Sequence, residues 1–269
     1  MHAKERAVAP AFMDELGLTV VPSAGLDTDQ LGTFAGEIPR RGTMLEVAVA
    51  KARLGMAATG LPLGLASEGS FGPHPVVPFL AGGIELLVFV DDTRGLVLHE
   101  TMVVERTNFA HLVTAPGQPL DSFLAQIGFP AHGLIVRANV GEPQAGLVKG
   151  IVERSRLEEA IAAAAASPDG NARLETDMRA HLNPTRMDSL VPLASRLAQR
   201  LASGCPGCVA PGWGRVDVTR GLHCRWCGTP TEMVATEIFG CAACGHREER
   251  PRQDGLTEAE PGNCPACNP

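Results

Sequence analysis

Eight cysteines carry the strongest chemical signal in this sequence, and all of them lie between residues 205 and 267. They fall into four Cys-x-x-Cys pairs, namely Cys205/Cys208, Cys224/Cys227, Cys241/Cys244 and Cys264/Cys267. Two intervening residues let one tight turn direct two thiolates at one ion, and four thiolates at tetrahedral corners suit zinc. The sequence therefore predicts two four-cysteine sites and two zinc ions per chain.

The spacing of the pairs bears on how they combine. Fifteen residues separate the first pair from the second, and 19 separate the third from the fourth. Both spacings are typical of zinc sites built from consecutive pairs, so we expect sequential pairing, as in two zinc ribbons in series. A cross-braced arrangement, in which the first pair joins the third, uses the same residues and stays open. A disulfide framework is disfavoured because cytosolic thiols stay reduced.

Charge and hydropathy limit the partners and the compartment. The formal net charge is -7, and the cysteine-rich tail has eight carboxylates against six arginines. Each zinc ion held by four thiolates adds two further negative charges. Nucleic-acid binding through phosphates needs the opposite sign and is disfavoured. Because no targeting segment and no apolar run of about 18 residues is visible, we expect a cytoplasmic protein without a membrane span.

Periodicity divides the chain into two domains, residues 1–202 and 203–269. Helices are predicted over residues 4–16, 43–59, 119–128, 153–166, 169–182 and 185–201, and strands over 18–21, 61–66, 84–90, 96–105, 134–137 and 147–149. This mixture predicts an α/β domain, with a mixed sheet and flanking helices, before a small zinc-stabilised β-rich tail. Residues 67–75 are polar and glycine-rich, and we expect them to form a loop after a buried strand, where α/β proteins place their sites.

Lysine is scarce, since Lys4, Lys51 and Lys149 are the only three in the chain, against 20 arginines. Each lysine is therefore a candidate for a specific role. Lys51 lies on the helix that starts at Thr43. Glu46 on the same helix has the spacing of a capping box with Thr43, so a purely structural role for it stays open.

Two further groups of polar residues are candidates for chemistry. Glu68 and Ser70 lie in the predicted loop, where a carboxylate holds Mg²⁺ or, alternatively, binds loop amides. Asp177 and His181 are four residues apart on a predicted helix, so the carboxylate either orients the imidazole or forms an ordinary surface pair. Arg186 follows shortly after them in the chain.

The order of these motifs resembles the first half of the inosine/xanthosine triphosphate pyrophosphatase superfamily. The segment Glu46-Val47-Ala48-Val49-Ala50-Lys51-Ala52 is similar to that superfamily's Glu-x-Ala-x-x-Lys-Ala helix. The segment Ala66-Ser67-Glu68-Gly69-Ser70-Phe71 stands where the superfamily has Ala-Asp-Asp-Ser-Gly-Leu. Lys4 stands at the end of the phosphate-binding turn, which implies a start upstream of Met1. Residues 179–186 stand for the Ser-His-Arg element that holds the base.

The resemblance implies a Mg²⁺-dependent hydrolase of a nucleotide or a related phosphorylated small molecule. Its implied catalytic residues are Glu46 and Glu68, and its implied ligand-binding residues are Lys4, Lys51, Ser70, His181 and Arg186. Ser67 replaces the first acid of the superfamily's pair, and residues 100–150 lack its Phe-Gly-Tyr-Asp-Pro motif. These departures favour the alternative, a non-catalytic ligand-sensing or protein-interaction module whose zinc tail docks to a protein partner. The whole chain also resembles an uncharacterised bacterial family with this two-part layout, which implies no activity.

Overall fold

The computed structural model describes residues 3–23, 25–26, 42–75, 77–142, 144 and 146–269. The chain divides into two compact units, a first unit of residues 1–198 and a second unit of residues 199–269.

Two helices begin the first unit at the predicted positions, and both end at a glycine. Helix α1 (Glu5–Leu16) stops at Gly17, and α2 (Met44–Thr59) stops at Gly60; both glycines adopt the left-handed conformation that favours glycine. The predicted capping box is confirmed, since the Glu46 backbone N–H donates to the Thr43 hydroxyl and the Thr43 N–H donates to the Glu46 carboxylate. The strand predicted at residues 18–21 is wrong, because that segment lines a cavity wall instead of pairing with another strand.

Three antiparallel strands form the first sheet, in the order β1 (Leu63–Pro73), β2 (Ala81–Asp91) and β3 (Leu96–Val104). The strands predicted over residues 84–90 and 96–105 are confirmed as β2 and β3, which form a hairpin, and the Asp91 carboxylate accepts a hydrogen bond from the Thr93 N–H in its turn. One face of the sheet packs against α2 through a buried cluster of Ala48, Ala52, Leu86, Val88 and Val90.

The loop predicted at residues 67–75 is wrong, because β1 continues through it to Pro73. Gly69 in this segment and Gly83 on the neighbouring strand mark close approaches of side chains, a known role of glycine in strands. A Cβ at Gly69 would lie 2.5 Å from Nη2 of Arg186, and a Cβ at Gly83 on β2 would lie 2.5 Å from the Phe71 ring. Glu68 is therefore held in the middle of a paired strand.

A second antiparallel sheet has four strands in the order β4 (His111–Thr114), β7 (Ala172–Thr176), β5 (Leu134–Ala138) and β6 (Val148–Ile151). Helices α3 (Asp121–Ile127) and α4 (Arg154–Ala164) share its core. That core comprises Leu120, Leu124, Ile127, Leu134, Val136, Ile151, Leu157, Ala160, Ile161, Ala164, Ala172 and Leu174.

Two further predictions for the first unit are wrong. The expected mixed sheet does not occur, since every ladder between the described strands is antiparallel. The helix predicted over residues 169–182 is replaced by β7 and a short 3-10 turn at Ala180–Leu182. Burial alternates along β7, with Leu174 buried between less buried neighbours, which is the period of a strand. Asp177 and His181 consequently share no helix face. The last helix, α5 (Pro184–Ala202), is confirmed.

The second unit contains a small antiparallel sheet in the order β10 (Arg247–Pro251), β9 (Val234–Gly240) and β8 (Gly214–Arg220). Trp213 packs beside it, with its ring centroid 5.3 Å from that of His246 and 6.3 Å from that of Phe239. Across the described residues of both units, helices long and apolar enough to cross a membrane are absent.

Candidate metal centres and a basic cavity

The eight cysteines assemble into two groups, each placed to hold one metal ion. Site 1 consists of Cys205, Cys208, Cys241 and Cys244, and site 2 consists of Cys224, Cys227, Cys264 and Cys267. In both sites the first cysteine of each pair is buried and the second is exposed. The first pair therefore joins the third, and the second joins the fourth. The expected sequential pairing is wrong, and the cross-braced alternative describes the structure.

The small sheet of the second unit explains the cross-bracing. Because β8 and β9 are antiparallel, Gly214 at the start of β8 lies opposite Gly240 at the end of β9. The pair that precedes β8 therefore meets the pair that follows β9, which builds site 1. At site 2, the Arg225 N–H donates to the Ala259 carbonyl and the Ala259 N–H donates to the His223 carbonyl. These bonds bring the end of the chain against the second pair.

Sulfur separations distinguish metal sites from disulfides. A zinc–sulfur bond of about 2.3 Å places tetrahedral sulfurs about 3.8 Å apart, whereas a disulfide bond is about 2.05 Å long. The Cys205–Cys244 and Cys208–Cys241 separations are both 3.7 Å. In site 2 the Cys224–Cys267 and Cys227–Cys264 separations are 3.9 and 3.5 Å. Both sites fit a soft, tetrahedral ion held by four thiolates, and zinc is consistent with this donor set.

Tight turns orient the thiols in each pair. The N–H of the residue after the second cysteine donates to the carbonyl of the first, as in Val209 to Cys205 and Gly245 to Cys241. Gly228 and Gly245 have φ values of 72° and 73°, a backbone conformation that glycine adopts without strain. Val209 occupies the same position in the first pair with a φ of 62° and is 82% exposed. A β-branched residue is strained in this conformation.

The pKa values of the thiols diverge within each site. A backbone hydrogen bond from Ala210 lowers the pKa of Cys208, but hydrogen bonding with Cys244 and burial outweigh it and raise that pKa to about 12. Hydrogen bonding with Cys227 raises the pKa of Cys267 to about 12. Bonding to the Thr229 side chain is the main cause that lowers the pKa of Cys227 to about 6. Burial acts to raise the pKa of Cys241, but the backbone N–H groups of Cys244 and Ala243 outweigh it and lower that pKa to about 7. Since the thiolate is the form that binds metal, each site has at least one ligand that ionises near neutral pH.

A cavity of about 360 Å³ lies within the first unit, and we call it the basic cavity. All three lysines of the chain line it, together with Arg179 and Arg186. Its carboxylates are Glu5 and Glu68, so cationic side chains outnumber acidic ones. Apolar side chains complete the wall, among them Val8, Phe12, Leu65, Leu87, Phe89 and Ile135.

Helix α2 and strand β1 carry two of the predicted site residues to this cavity. Lys51 on α2 forms an ion pair with Glu68 on β1, and the Glu68 side chain is only 4% exposed. Residues opposite Glu68 and its strand neighbours pack against α2, which places Glu68 on the sheet face that meets this helix. The Lys51 side chain is itself only 15% exposed, so it is not a solvated surface residue of α2.

Arg186 is fixed by a buried ion pair that the sequence analysis missed. Its guanidinium pairs with Glu85 on the central strand β2, and both side chains are almost fully buried. The same guanidinium donates to the Met178 carbonyl and lies 5.3 Å from the centre of the Phe71 ring. The Arg186 backbone N–H donates to the Asn183 side chain at the start of α5. In the sequence, Glu85 interrupts an otherwise apolar strand, and this isolated carboxylate could have indicated a buried ion pair.

A second buried pair supports the opposite wall of the cavity. Asp177 is fully buried and accepts from the Arg179 guanidinium at 2.6 Å and from the Gly150 N–H at 3.2 Å. Gly150 follows Lys149 on β6 and has a φ of 71°, and a Cβ there would lie 3.2 Å from the Arg179 guanidinium. Asp177 thus orients Arg179 rather than His181. Glu85 and Asp177 therefore balance the two arginines, as Glu68 balances Lys51.

Lys4 has a different environment from Lys51. Its ammonium donates to the Ser67 hydroxyl at 2.8 Å and lies 3.4 Å from the Ser67 carbonyl oxygen. Burial and then the charge of Arg186 lower the pKa of Lys4 from 10.5 to about 8, although Glu85 and Glu68 act in the opposite direction. Lys4, whose described hydrogen-bond partners are neutral oxygens, therefore holds its proton less strongly than an ordinary lysine does.

Three of the predicted site residues do not line the cavity. Glu46 is exposed, and hydrogen bonds from Thr43 lower the pKa of its carboxyl, in keeping with the capping-box alternative. Ser70 and His181 are also exposed. The two carboxylates expected to share Mg²⁺ are consequently not both at the cavity. The structure brings together Lys4, Lys51, Glu68 and Arg186 and adds Lys149 and Arg179, which sequence reasoning did not assign.

Comparison with protein families identifies the family to which this chain belongs. A family model described as a domain of unknown function (DUF6671) matches residues 51–269. The chain belongs to this family. The DUF6671 match begins at Lys51 and includes Glu68, Lys149, Arg186 and all eight cysteines, whereas Lys4 lies before it. Neither the curated proteins nor the solved structures yield a match to the chain. The resemblance to the pyrophosphatase superfamily therefore has no support from these comparisons.

Proposed function

We propose that the first unit binds a phosphorylated small molecule in the basic cavity. The observation that carries this proposal is that the only three lysines of the chain line one cavity. A protein of net charge -7 repels anions in general, so a local positive site with apolar walls selects an anionic ligand of matching shape.

The chemistry of the lining favours phosphate as the anionic group. Lysine binds phosphate as a compact point charge, and Lys4 donates only to neutral oxygens among the described residues, whereas the two guanidiniums are already engaged by Glu85 and Asp177. The cavity volume lies near the lower end of the range usual for small-ligand pockets. Apolar residues such as Phe89 and Ile135 give the remainder of the ligand a surface to contact.

The geometry supports binding better than magnesium-dependent hydrolysis. Glu68 is at the cavity, but its carboxylate is engaged by Lys51, and Glu46 caps α2 instead. Hydrolysis of the bound molecule stays a prediction, for which these residues supply no complete magnesium site. The second unit, in this proposal, is a structural module that holds two zinc ions.

Binding is tested with inorganic pyrophosphate and with nucleoside mono-, di- and triphosphates, each with and without Mg²⁺, by thermal shift and calorimetry. We expect Lys149→Met to weaken the tightest of these complexes about tenfold or more, since a charge-assisted hydrogen bond contributes roughly 1.5–3 kcal/mol. Arg53→Met is the matched control, because Arg53 is an exposed cation of α2 that pairs with Asp92 outside the cavity. Equal affinities of the two variants, or no binding of any compound, would contradict the proposal.

An exposed aromatic residue favours a second candidate function, docking of the second unit to a protein partner. Trp226 lies between Cys224 and Cys227, and its side chain is 73% exposed. Tryptophan is enriched at the surfaces through which proteins bind one another. Affinity purification of the wild type, Trp226→Ala and Leu256→Ala, quantified by mass spectrometry, tests it. One protein lost only with Trp226→Ala supports docking, and equal recovery with all three contradicts it.

A further inference from the structure

Lys4 is the lysine of the basic cavity whose environment suits a reaction rather than a charge pair. Among the described residues, its hydrogen-bond acceptors are the hydroxyl and carbonyl oxygens of Ser67, and no carboxylate forms an ion pair with it. Lys51 in the same cavity is committed to Glu68. Lys51 therefore has a carboxylate as its partner, whereas the described partners of Lys4 are neutral oxygens.

Burial is the largest cause that disfavours the ammonium form of Lys4. The charges around it act in both directions, because the Arg186 guanidinium and the Lys51 ammonium repel a further positive charge while Glu85 and Glu68 attract it. Each of these cations is paired with one of these carboxylates, so repulsion and attraction reach Lys4 together. With burial added to the charge of Arg186, the pKa of Lys4 falls to about 8. Desolvation beside a second cation is an established way to activate a lysine amine as a nucleophile.

We propose that Lys4 forms an imine with an aldehyde or ketone group of an anionic small molecule bound in the basic cavity. The amine nitrogen attacks the carbonyl carbon, a C–N bond forms, and the nitrogen's proton passes to the carbonyl oxygen. Loss of water from this carbinolamine gives the imine, and no electrons are gained or lost. The Ser67 hydroxyl, 2.8 Å from the nitrogen, is placed to relay the proton.

The inference rests on the proposed function, because the same cavity must bind the anionic part of the molecule. The other cations of the lining hold that part, and Lys4 supplies the reacting atom. At neutral pH an amine of pKa about 8 has a free-base fraction about 300-fold larger than one of pKa 10.5. Lower basicity reduces nucleophilicity and offsets part of this gain, so we expect Lys4 to react at least about tenfold faster than a lysine of ordinary pKa.

Pyridoxal 5′-phosphate, an aldehyde with a phosphate group, is a suitable probe for the full-length chain at neutral pH. Borohydride reduction fixes the imine, and fragment sequencing by mass spectrometry assigns the label among the three lysines and the amino terminus. We expect the label on Lys4, slower labelling when inorganic pyrophosphate is present, no change with Arg53→Met, and slower labelling with Ser67→Ala. Lys4→Arg, with its fold checked by circular dichroism, removes the label.

The outcomes separate this inference from the proposed function. Calorimetric binding of pyrophosphate by the wild type, combined with equal labelling of the three lysines, would overturn the imine and leave the ligand cavity intact. Absence of both pyrophosphate binding and selective labelling would overturn both. Selective labelling that pyrophosphate does not slow would overturn the requirement for an anionic ligand.

Discussion

Cross-bracing of the two metal sites makes a prediction that sequential pairing reverses. One variant replaces all four cysteines of site 2 by serine. A matched variant also replaces four cysteines, namely Cys205, Cys208, Cys224 and Cys227. The first variant leaves site 1 complete, whereas the second removes half of each site.

The expected metal content follows directly from the ligand sets. The wild type binds two ions per chain, the site 2 variant retains one, and the matched variant retains none. A complete four-thiolate site binds zinc with an apparent free energy of roughly 10–16 kcal/mol at neutral pH, so site 1 keeps its ion when site 2 is lost. Two thiolates without their partners lack the closed tetrahedral ligand set of a structural site.

Elemental analysis of protein purified without added metal measures the stoichiometry, and the visible absorption of Co²⁺-substituted protein reports four-thiolate coordination. Circular dichroism of both variants controls for loss of the fold. One ion in the matched variant and none in the site 2 variant would refute the cross-braced arrangement.

Four further predictions concern single positions. The affinity of the wild type for inorganic pyrophosphate falls as pH rises through about 8, because the depressed pKa of Lys4 means that its positive charge is present below that pH and lost above it. Lys4→Arg keeps the charge at every pH in this range. Calorimetry that finds a constant ratio of the two proteins' affinities from about pH 7 to 9.5 would contradict the prediction. Arg186→Met destabilises the first unit by about 3–5 kcal/mol in urea unfolding, because Glu85 is left buried and charged. Adding Glu85→Leu to this variant recovers part of the lost stability. An unchanged unfolding midpoint in the single variant would be inconsistent with the buried pair. Glu46→Ala lowers the unfolding free energy by no more than about 1 kcal/mol and leaves pyrophosphate affinity unchanged, and a tenfold loss of affinity would restore the catalytic role of Glu46. Val209→Gly stabilises the second unit by roughly 1 kcal/mol in thermal unfolding, because it relieves a left-handed β-branched residue, and a lower midpoint would argue against strain there.

Local signals gave the helices of the first unit and the composition of the metal sites. Thr43 with Glu46, Gly17 and Gly60 fix helix ends through short-range hydrogen bonds and backbone conformation, so α1 and α2 follow from sequence. The Cys-x-x-Cys turns are equally local. The combination of the pairs is not local, because it depends on which strand ends the sheet of the second unit places side by side.

The residues of the cavity could be predicted only in part, because their types are visible in the sequence but their grouping in space is not. The scarcity of lysine pointed to Lys4, Lys51 and Lys149, but no local pattern places residues so distant in sequence around one space. The glycines of residues 67–75 favour a loop by composition, which led to the wrong prediction there. Gly69 is needed for a tertiary reason instead, because a side chain at this position would collide with Arg186 from α5 and Glu85 from β2.

Chemical protection of the three lysines tests the basic cavity most directly. Acetylation rates of Lys4, Lys51 and Lys149 are measured by mass spectrometry with and without inorganic pyrophosphate or the nucleotides, at equal ionic strength. If these side chains share one anion site, at least one phosphorylated compound slows the modification of all three together. Unchanged rates at the three lysines with every compound would contradict the ligand-binding function.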